Sequence, residues 1–441
     1  MDTTKIKRIL TNPVALILLS GLAVRLIIAP FFSDYNDFPY WAGIAFDVMT
    51  DEGIYRGYDL WYPPLWGYAV SLMTPIMDLF GITPLETIVD ESSDIGYSLG
   101  NGQIVSPIVV FIIKIPLIVS DVCCGYLIYI IVRRLTEDVK KQISALLLWT
   151  FCPITIFVSA VQGQIDPLVT LLLLLSVWSY LSGNYFSSGA FIAASVLTKP
   201  FTSLAVLPMM ALVWVYRTGR DNKIRSTSAY LLGGILMSFL ILLPQIINGE
   251  MSFVTGFITN RYTSSPPLPA DYTMSIYNDI GLETLYPQVS NLNTFFFLSF
   301  ILSLILTIYV FAKGKVTDKG AILILTAAVS CHLMWYPATG YIQYYVPAVA
   351  MAVLCMTFDR RFRYLIYAIA VLTIIPALHG FSNFFQLYLL GLVPIDTLVD
   401  IRDWLWAVLD IPDGIASNLK FLPMLIIVIL SMKMAKEDCD A

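Results

Sequence analysis

VSPIVVFIIKIPLIVSDVCCGYLIYIIVRR, residues 105–134, decides the fold class. About 20 apolar residues cross a bilayer as a helix. This run exceeds that length before Arg133 and Arg134 close it, and its only earlier charges are Lys114 and Asp121. Similar runs fall at 12–30, 142–160, 167–183, 227–247, 293–312, 320–337, 345–357, 364–382 and 419–433. The chain of 441 residues is 58% hydrophobic and 13% charged, about half the charge of a soluble domain, and its mean hydropathy is +0.76. The expected architecture is all-α: a polytopic membrane protein of about 10–12 transmembrane helices, in which lipid is the solvent for most side chains.

Orientation follows from where Lys and Arg sit in the short loops. Lys5/Lys7/Arg8, Arg133/Arg134/Lys140/Lys141, Arg217/Arg220/Lys223/Arg225, Lys313/Lys315/Lys319, Arg360/Arg361/Arg363 and Lys433/Lys436 form one consistent cytoplasmic set. Both termini then lie inside, and 31–104, 248–292 and 383–418 lie outside. Segment 31–104 holds eleven Asp/Glu against Arg56 alone. The basic N-terminus runs into an apolar stretch without a small-residue cleavage site, which reads as an uncleaved first span.

Two segments break simple counting. A full crossing at 63–80 would put Arg133 and Arg134 outside, so a helix in the interface is expected there. Segment 188–216 is short for two spans, and Lys199-Pro200 interrupts it, because proline breaks the helix ladder. A partial hairpin with Lys199 at its turn is expected. No internal repeat is visible, which disfavours inverted-repeat transporters. The whole chain, 1–441, reads as one domain, with 31–104 as a catalytic first outer loop and 227–433 as variable C-terminal helices.

The six cysteines, at 123, 124, 152, 331, 355 and 439, form no disulfide framework, and two histidines rule out a His-rich metal cluster. No metal or cofactor is called for. Without a basic tract, nucleic acid is not an expected partner.

The residues with chemical potential gather outside. Asp34-Tyr35-Asn36-Asp37-Phe38-Pro39-Tyr40-Trp41 opens the first loop, and Trp61-Tyr62-Pro63-Pro64-Leu65-Trp66 follows. Carboxylates beside rings suit a hydroxyl to be deprotonated and a sugar to be stacked. Asp37 also reads as a helix cap, and Trp and Tyr read as an interfacial belt. The turn Gln162-Gly163-Gln164-Ile165-Asp166-Pro167 could hold sugar hydroxyls through Gln164 and Asp166, or be a plain turn with Asp166 as cap. Arg25, Lys114, Asp121 and Lys199 are intramembrane charges, which are functional candidates by default. Lys114 and Asp121 are seven apart, on one helical face, where a structural ion pair or snorkelling is the alternative. Lys199 suits a lipid phosphate. His332, Gln343 and Tyr344, with Trp335, Tyr336, Tyr341 and Tyr345, form a second aromatic and polar cluster that reads equally as an interfacial belt or as a carbohydrate or lipid-phosphate site. His379 reads as an ordinary helix-end residue.

These residues resemble the GT-C integral-membrane glycosyltransferases, which use polyprenyl-phosphate sugars. Asp34-Tyr35 with Trp41 seven residues on, and Tyr62-Pro63-Pro64-Leu65, are similar to the glucosyltransferases of asparagine-linked glycan assembly. Lys114 and Asp121, and Gln343-Tyr344, are similar to the mannosyltransferases of glycosylphosphatidylinositol anchors. Gly163-Gln164-Ile165-Asp166 and the run from Gly189 to Lys199-Pro200 look like further superfamily features. The His-rich motif of the glucosyltransferases has no counterpart at the matching place.

The resemblance implies an inverting transfer of mannose or glucose from a polyprenyl-phosphate-hexose to a lipid-linked or glycan acceptor, outside the cytoplasm, in a plasma membrane or endoplasmic reticulum. It makes Asp34 the base and Asp37 the alternative, and Trp41, Tyr62, Pro63 and Pro64 part of the substrate surface. The donor phosphate would meet Lys199 first, with Lys114, Gln343, Tyr344 and His332 as further candidates. A transporter or flippase of a lipid-linked or small polar substrate is the rival class, and a protein O-mannosyltransferase-like enzyme the nearer one.

Overall fold

The computed structural model describes residues 12–34, 37–55, 62–84, 105–216, 220–255, 292–335, 341–379 and 384–440. Tyr35, Asn36, Trp61, Tyr336 and most of 248–292 lie outside them. Every regular element among the described residues is helical. The chain is an all-α polytopic membrane protein. Six helical stretches are long and apolar enough to cross a membrane: Pro13–Phe31, Pro107–Leu135, Val139–Gln162, Asp221–Ile247, Arg361–His379 and Ile395–Asp440. Shorter apolar helices include Asp166–Leu181, Tyr185–Val196, Pro200–Tyr216, Leu298–Lys313 and Ile342–Cys355.

Local chemistry sets the helix ends. In α1 (Pro13–Ile28), Asn12 caps the start by accepting from the Val14 amide, and Pro13 takes the first turn, where its missing N–H costs nothing. Three short helices follow among the described residues before position 105: α2 (Phe38–Met49), then α3 (Pro64–Ser71) with α4 (Thr74–Leu79). The apolar run 63–80 is thus split into helices of 8 and 6 residues rather than one long helix. α5 is the deciding stretch itself, Pro107–Leu135, opened by a Ser106 cap on the Val109 amide. α6 (Val139–Thr150) and α7 (Pro153–Ile156) lead into a π turn, Phe157–Gln162, which ends at Gly163 with φ +74°.

α8 (Asp166–Leu181) and α9 (Tyr185–Val196) run to and from the far end of the bundle. Lys199 then stands in extended backbone before the 3-10 turn Pro200–Ala205, and α10 (Val206–Tyr216) continues. This is the partial hairpin expected around Lys199-Pro200. α11 (Arg220–Ile247) crosses α9 at backbone contact. A Cβ on Gly189 would lie 1.9 Å from the Tyr230 carbonyl oxygen, and one on Gly233 would lie 2.0 Å from that of Phe186. Small residues that let backbones approach are the usual basis of helix association in lipid.

The C-terminal half adds α12 (Leu292–Lys313), α13 (Asp318–Ser330), α14 (His332–Trp335), α15 (Val346–Cys355) and α16 (Arg361–His379). α17 (Gln386–Leu389), α18 (Ile395–Leu419) and α19 (Phe421–Asp440) complete the chain. α18 is a departure from the sequence reading, which left 383–418 as loop. Its acidic content masks a helical stripe: Ile401, Trp404, Val408, Ile411 and Ile415 recur at intervals of three and four and are all exposed.

The ion pairing of α5 is also a correction. Lys114 and Asp121 share a helix face but do not pair with each other. Two turns separate them by about 10 Å along the axis, so each takes partners from other helices. Asp121 accepts from Arg25 Nε at 2.6 Å and from Ser159 Oγ at 2.7 Å. Arg25 also donates to Thr155 Oγ1 and to the carbonyls of Gly21 and Thr150. Both charges are buried. The network ties α1, α5, α6 and the π turn together, with each guanidinium nitrogen of Arg25 hydrogen-bonded, as a buried charge requires.

Candidate active site

Asp34 follows the last turn of the first span, its backbone N–H donating to the Gln162 carbonyl at 3.2 Å. Its side chain is 8% exposed. Gln164, from the turn between the π segment and α8, reaches both acidic candidates. Its Nε2 donates to Asp34 Oδ2 at 3.0 Å and to Asp37 Oδ2 at 2.6 Å. Asp37 occupies the cap position of α2 but makes no side-chain cap bond. The cap reading of Asp37 is thus corrected: its carboxylate is turned to Gln164.

The Gln164 side chain arrives there because of the π turn. Its backbone N–H and that of Gly163 both donate to the Val158 carbonyl. Single π turns are a frequent feature of functional sites. Gly163 is demanded twice over, by its positive φ and by space, since a Cβ would meet Lys114 Cε at 2.7 Å and the Phe38 ring at 2.8 Å.

Lys114 was a phosphate candidate, but its ammonium is occupied. It donates to the carbonyls of Ala29 at 3.1 Å, Ala160 at 2.8 Å and Val161 at 3.0 Å, and to that of Phe32. It also lies over the Phe38 ring. With its protons on main-chain oxygens and its side chain fully buried, Lys114 fastens the segments that carry Asp34 and Gln164. It does not offer a charge to a ligand.

The second charged pair is Lys199 with Asp166. Lys199 Nζ donates to Asp166 Oδ1 at 3.0 Å and Oδ2 at 2.8 Å, and both side chains are buried. Asp166 is the first residue of α8 rather than its cap, and its carboxylate turns to Lys199. That corrects the capping alternative. Aromatic rings surround the ammonium: Tyr344 at 4.4 Å, Phe201 at 5.7 Å and Tyr62 at 5.9 Å. His332 stacks flat on Phe201 at 5.1 Å. Gln343 is buried, and its Oε1 has no hydrogen-bond partner. Lys199, Tyr344, His332 and Tyr62, spread over 282 positions of the chain, therefore meet around one aromatic-walled charge.

Tyr62 is placed by its neighbours. Pro63 and Pro64 are buried at the start of α3, and the Leu65 N–H donates to the Leu197 carbonyl at 3.4 Å, docking this segment on the Lys199 turn. The Tyr62 carbonyl accepts from Tyr55 Oη at 3.0 Å. Trp41 behaves differently from the expectation of a sugar-stacking ring. It is 1% exposed, edge-on to Phe38 and to Trp66 at 5.0 and 5.1 Å, so it packs α2 against α3 rather than facing a ligand.

A hydroxyl cluster below was missed in the sequence. Tyr68 donates to the Ile241 carbonyl and to Gln245 Oε1, joining α3 to α11. Burial pushes the Tyr55 and Tyr68 phenols above their ordinary range, so both remain neutral donors. Also missed was Gln386 of α17, whose Oε1 accepts from Ser33 Oγ at 3.2 Å beside Asp34. No local pattern could have revealed a contact 353 residues long.

The arrangement holds two carboxylates on one amide beside a buried, ring-enclosed cation. A carboxylate there can take a proton from a hydroxyl, and the adjoining rings can cover a sugar face. No curated protein matches the chain. A family model described as dolichyl-phosphate-mannose-protein mannosyltransferase matches residues 106–247. That stretch contains Lys114, Asp121, Gln164, Asp166 and Lys199 and stops short of Asp34 and Asp37. The match supports a polyprenyl-phosphate-mannose-dependent glycosyltransferase in general, with a polyprenyl-phosphate sugar as donor and the membrane as setting. The chain is thus a polytopic helical protein that is similar, over residues 106–247, to the dolichyl-phosphate-mannose-protein mannosyltransferase family.

Proposed function

We propose that the protein transfers one mannose from polyprenyl-phosphate-mannose to the hydroxyl of a lipid-linked glycan or glycolipid, on the extracytoplasmic face. The observation that carries this reading is the Gln164 amide bound to Asp34 and Asp37 together. Gln164 has no proton to give up at neutral pH. It therefore holds two carboxylates side by side through hydrogen bonds alone and brings no charge of its own to them.

Asp34 accepts the acceptor proton as the hydroxyl oxygen attacks the anomeric carbon. The bond from that carbon to the phosphate oxygen breaks in the same displacement, so the configuration inverts. Charge then grows on the departing lipid phosphate, and fixed positive charge in a dry site stabilises it. Lys199 is the cation assigned to it, with the Tyr344 ring against the ammonium and His332 stacked on the adjoining Phe201; Gln343, next to Tyr344 in the chain, is a further proposed donor. Because Asp166 already neutralises Lys199, the approaching phosphate shares the ammonium with that carboxylate rather than meeting a bare charge. The segment after the first span supplies Tyr62 to the sugar face, and the Lys/Arg-rich short loops support an extracytoplasmic site with both termini cytoplasmic.

A protein hydroxyl as acceptor is a second reading, favoured by the description of the matching family. One experiment tests both. Purified protein in detergent is given labelled polyprenyl-phosphate-mannose or polyprenyl-phosphate-glucose, with a lipid-linked glycan or a Ser/Thr-rich peptide. Transfer of mannose to lipid is the expected result. Transfer only to peptide selects the second reading. No donor consumption in detergent, with movement of substrate across sealed vesicles, would refute both in favour of a transporter.

A further inference from the structure

A cavity of about 350 Å³ lies one helix length away from the carboxylates. α8 begins at Asp166 and ends at Leu181, about 24 Å along its axis, and the cavity opens just past that end. Asn184, Tyr185, Asn222, Arg225, Ser226 and Ala229 are among its lining residues. It belongs to the basic end of the bundle. Tyr180, in the last turn of α8, packs its ring against Tyr216, which closes α10 before the Arg217–Arg225 segment.

α9 and α11 touch at Gly189 and Gly233, and the cavity lies between their residues on the chain-start side of that contact, 184–186 and 222–229. The backbones cannot come nearer at the glycines, and no large side chain fills the fork, where Ala229 and Ser226 face it. Arg225 lines the fork and has no carboxylate partner among the described residues. An arginine with no carboxylate at ion-pair distance among the described residues, beside amide and hydroxyl groups, has the donor groups that recognise phosphate.

The surroundings of the fork are apolar and outward-facing. Along α11 the cavity face, 222–225–229, continues through Leu232 and Leu236, which are 59% and 43% exposed. On α9, Phe186 lines the cavity and is 39% exposed. A polar socket whose rim continues into a stripe of exposed leucine fits a ligand with a phosphate head and hydrocarbon tails.

We propose that this fork is a phosphate-binding site that takes the headgroup of an anionic phospholipid, with the acyl chains along Leu232 and Leu236. It is separate from the donor site, since it lies at the other end of α8 and α9, and its occupant is a bilayer component rather than a reactant. Binding there would brace the α9–α11 fork, whose upper ends carry Lys199 and Gln245.

The full-length protein is titrated in detergent with short-chain phosphatidylglycerol, phosphatidylcholine, or inorganic phosphate, and bound molecules are counted by native mass spectrometry. Phosphatidylglycerol should bind wild type and be weakened about tenfold by Arg225→Gln, the loss of one charge-assisted phosphate contact. Ala229→Trp, which fills the fork and keeps the charge, should weaken it as much. Arg133→Gln, an exposed basic residue of another helix end, should leave it unchanged. Phosphatidylglycerol binding that inorganic phosphate fails to displace supports a headgroup site. Displacement by inorganic phosphate alone supports the phosphate socket and assigns its occupant to the soluble phase. Wild-type affinity in Arg225→Gln, or in Ala229→Trp, overturns the proposal, as does equal binding of phosphatidylcholine.

Discussion

Asp34→Asn is the most informative single substitution because its structural and chemical costs differ in size. The asparagine Oδ1 can take the place of Oδ2 and accept from Gln164 Nε2 at the same 3.0 Å. What is lost is the charge assistance of one hydrogen bond, about 1 kcal/mol, roughly a fivefold effect if all of it appeared in the rate. Removing a base costs about 10²–10⁴-fold, or about 3–5 kcal/mol of barrier. The two ranges do not overlap. Asp37→Asn loses a charge-assisted bond of the same kind, at 2.6 Å, and no base, so its rate should fall by less than about tenfold. The assay is transfer of labelled mannose by each purified variant, with donor affinity and thermal unfolding measured alongside. Asp34→Asn should lose transfer at least about a hundredfold, with donor affinity within a few-fold of wild type. If it keeps more than about a tenth of the rate while Asp37→Asn is inactive, Asp37 is the base and the assignment is refuted.

Three further outcomes follow from the buried charges and the loop pattern. Lys199→Met leaves Asp166 buried without its partner and should cost about 3–5 kcal/mol of stability. Adding Asp166→Leu should restore thermal stability without restoring donor affinity, and donor affinity equal to wild type in the double variant would remove Lys199 from phosphate binding. Arg25→Met should destabilise by a similar amount, with Arg25→Met/Asp121→Leu recovering most of it. A change in donor affinity in that double variant would give the pair a role beyond structure. For sidedness, a cysteine replacing the exposed Glu52 should react with an impermeant thiol reagent in intact cells, whereas Cys439 should react only after permeabilisation. The reverse labelling would invert the proposed orientation.

The bilayer makes helix content easy to read, since each spanning segment must satisfy its own backbone. The ends of the helices were legible too, in Asn12-Pro13, Ser106-Pro107 and the break at Lys199-Pro200. Partnerships were not. Asp166 and Lys199 were each noticed, but nothing local says that a carboxylate and an ammonium 33 residues apart share two hydrogen bonds. Spacing misled for Lys114 and Asp121, because a shared helix face implies a shared environment only when the residues are three or four apart. Trp41 had the right spacing for a motif and a packed environment, and only burial separates the two. In α18 the five aspartates drew the reading to loop, although the apolar residues between them kept the helical period.

The grip of Lys114 on four carbonyls bears on what happens when membrane thickness changes. Spanning helices answer a mismatch with the surrounding hydrocarbon by tilting or kinking, at fractions of a kcal/mol per ångström. Two helices that tilt independently would shear any pair of groups at their tips. Here the tail of the first span and the π turn hang from one ammonium on α5. Asp34 and Gln164 must therefore ride together when the bundle leans. Thinner or thicker lipid would move the carboxylates relative to a lipid-anchored substrate, while leaving the spacing between carboxylate and amide unchanged.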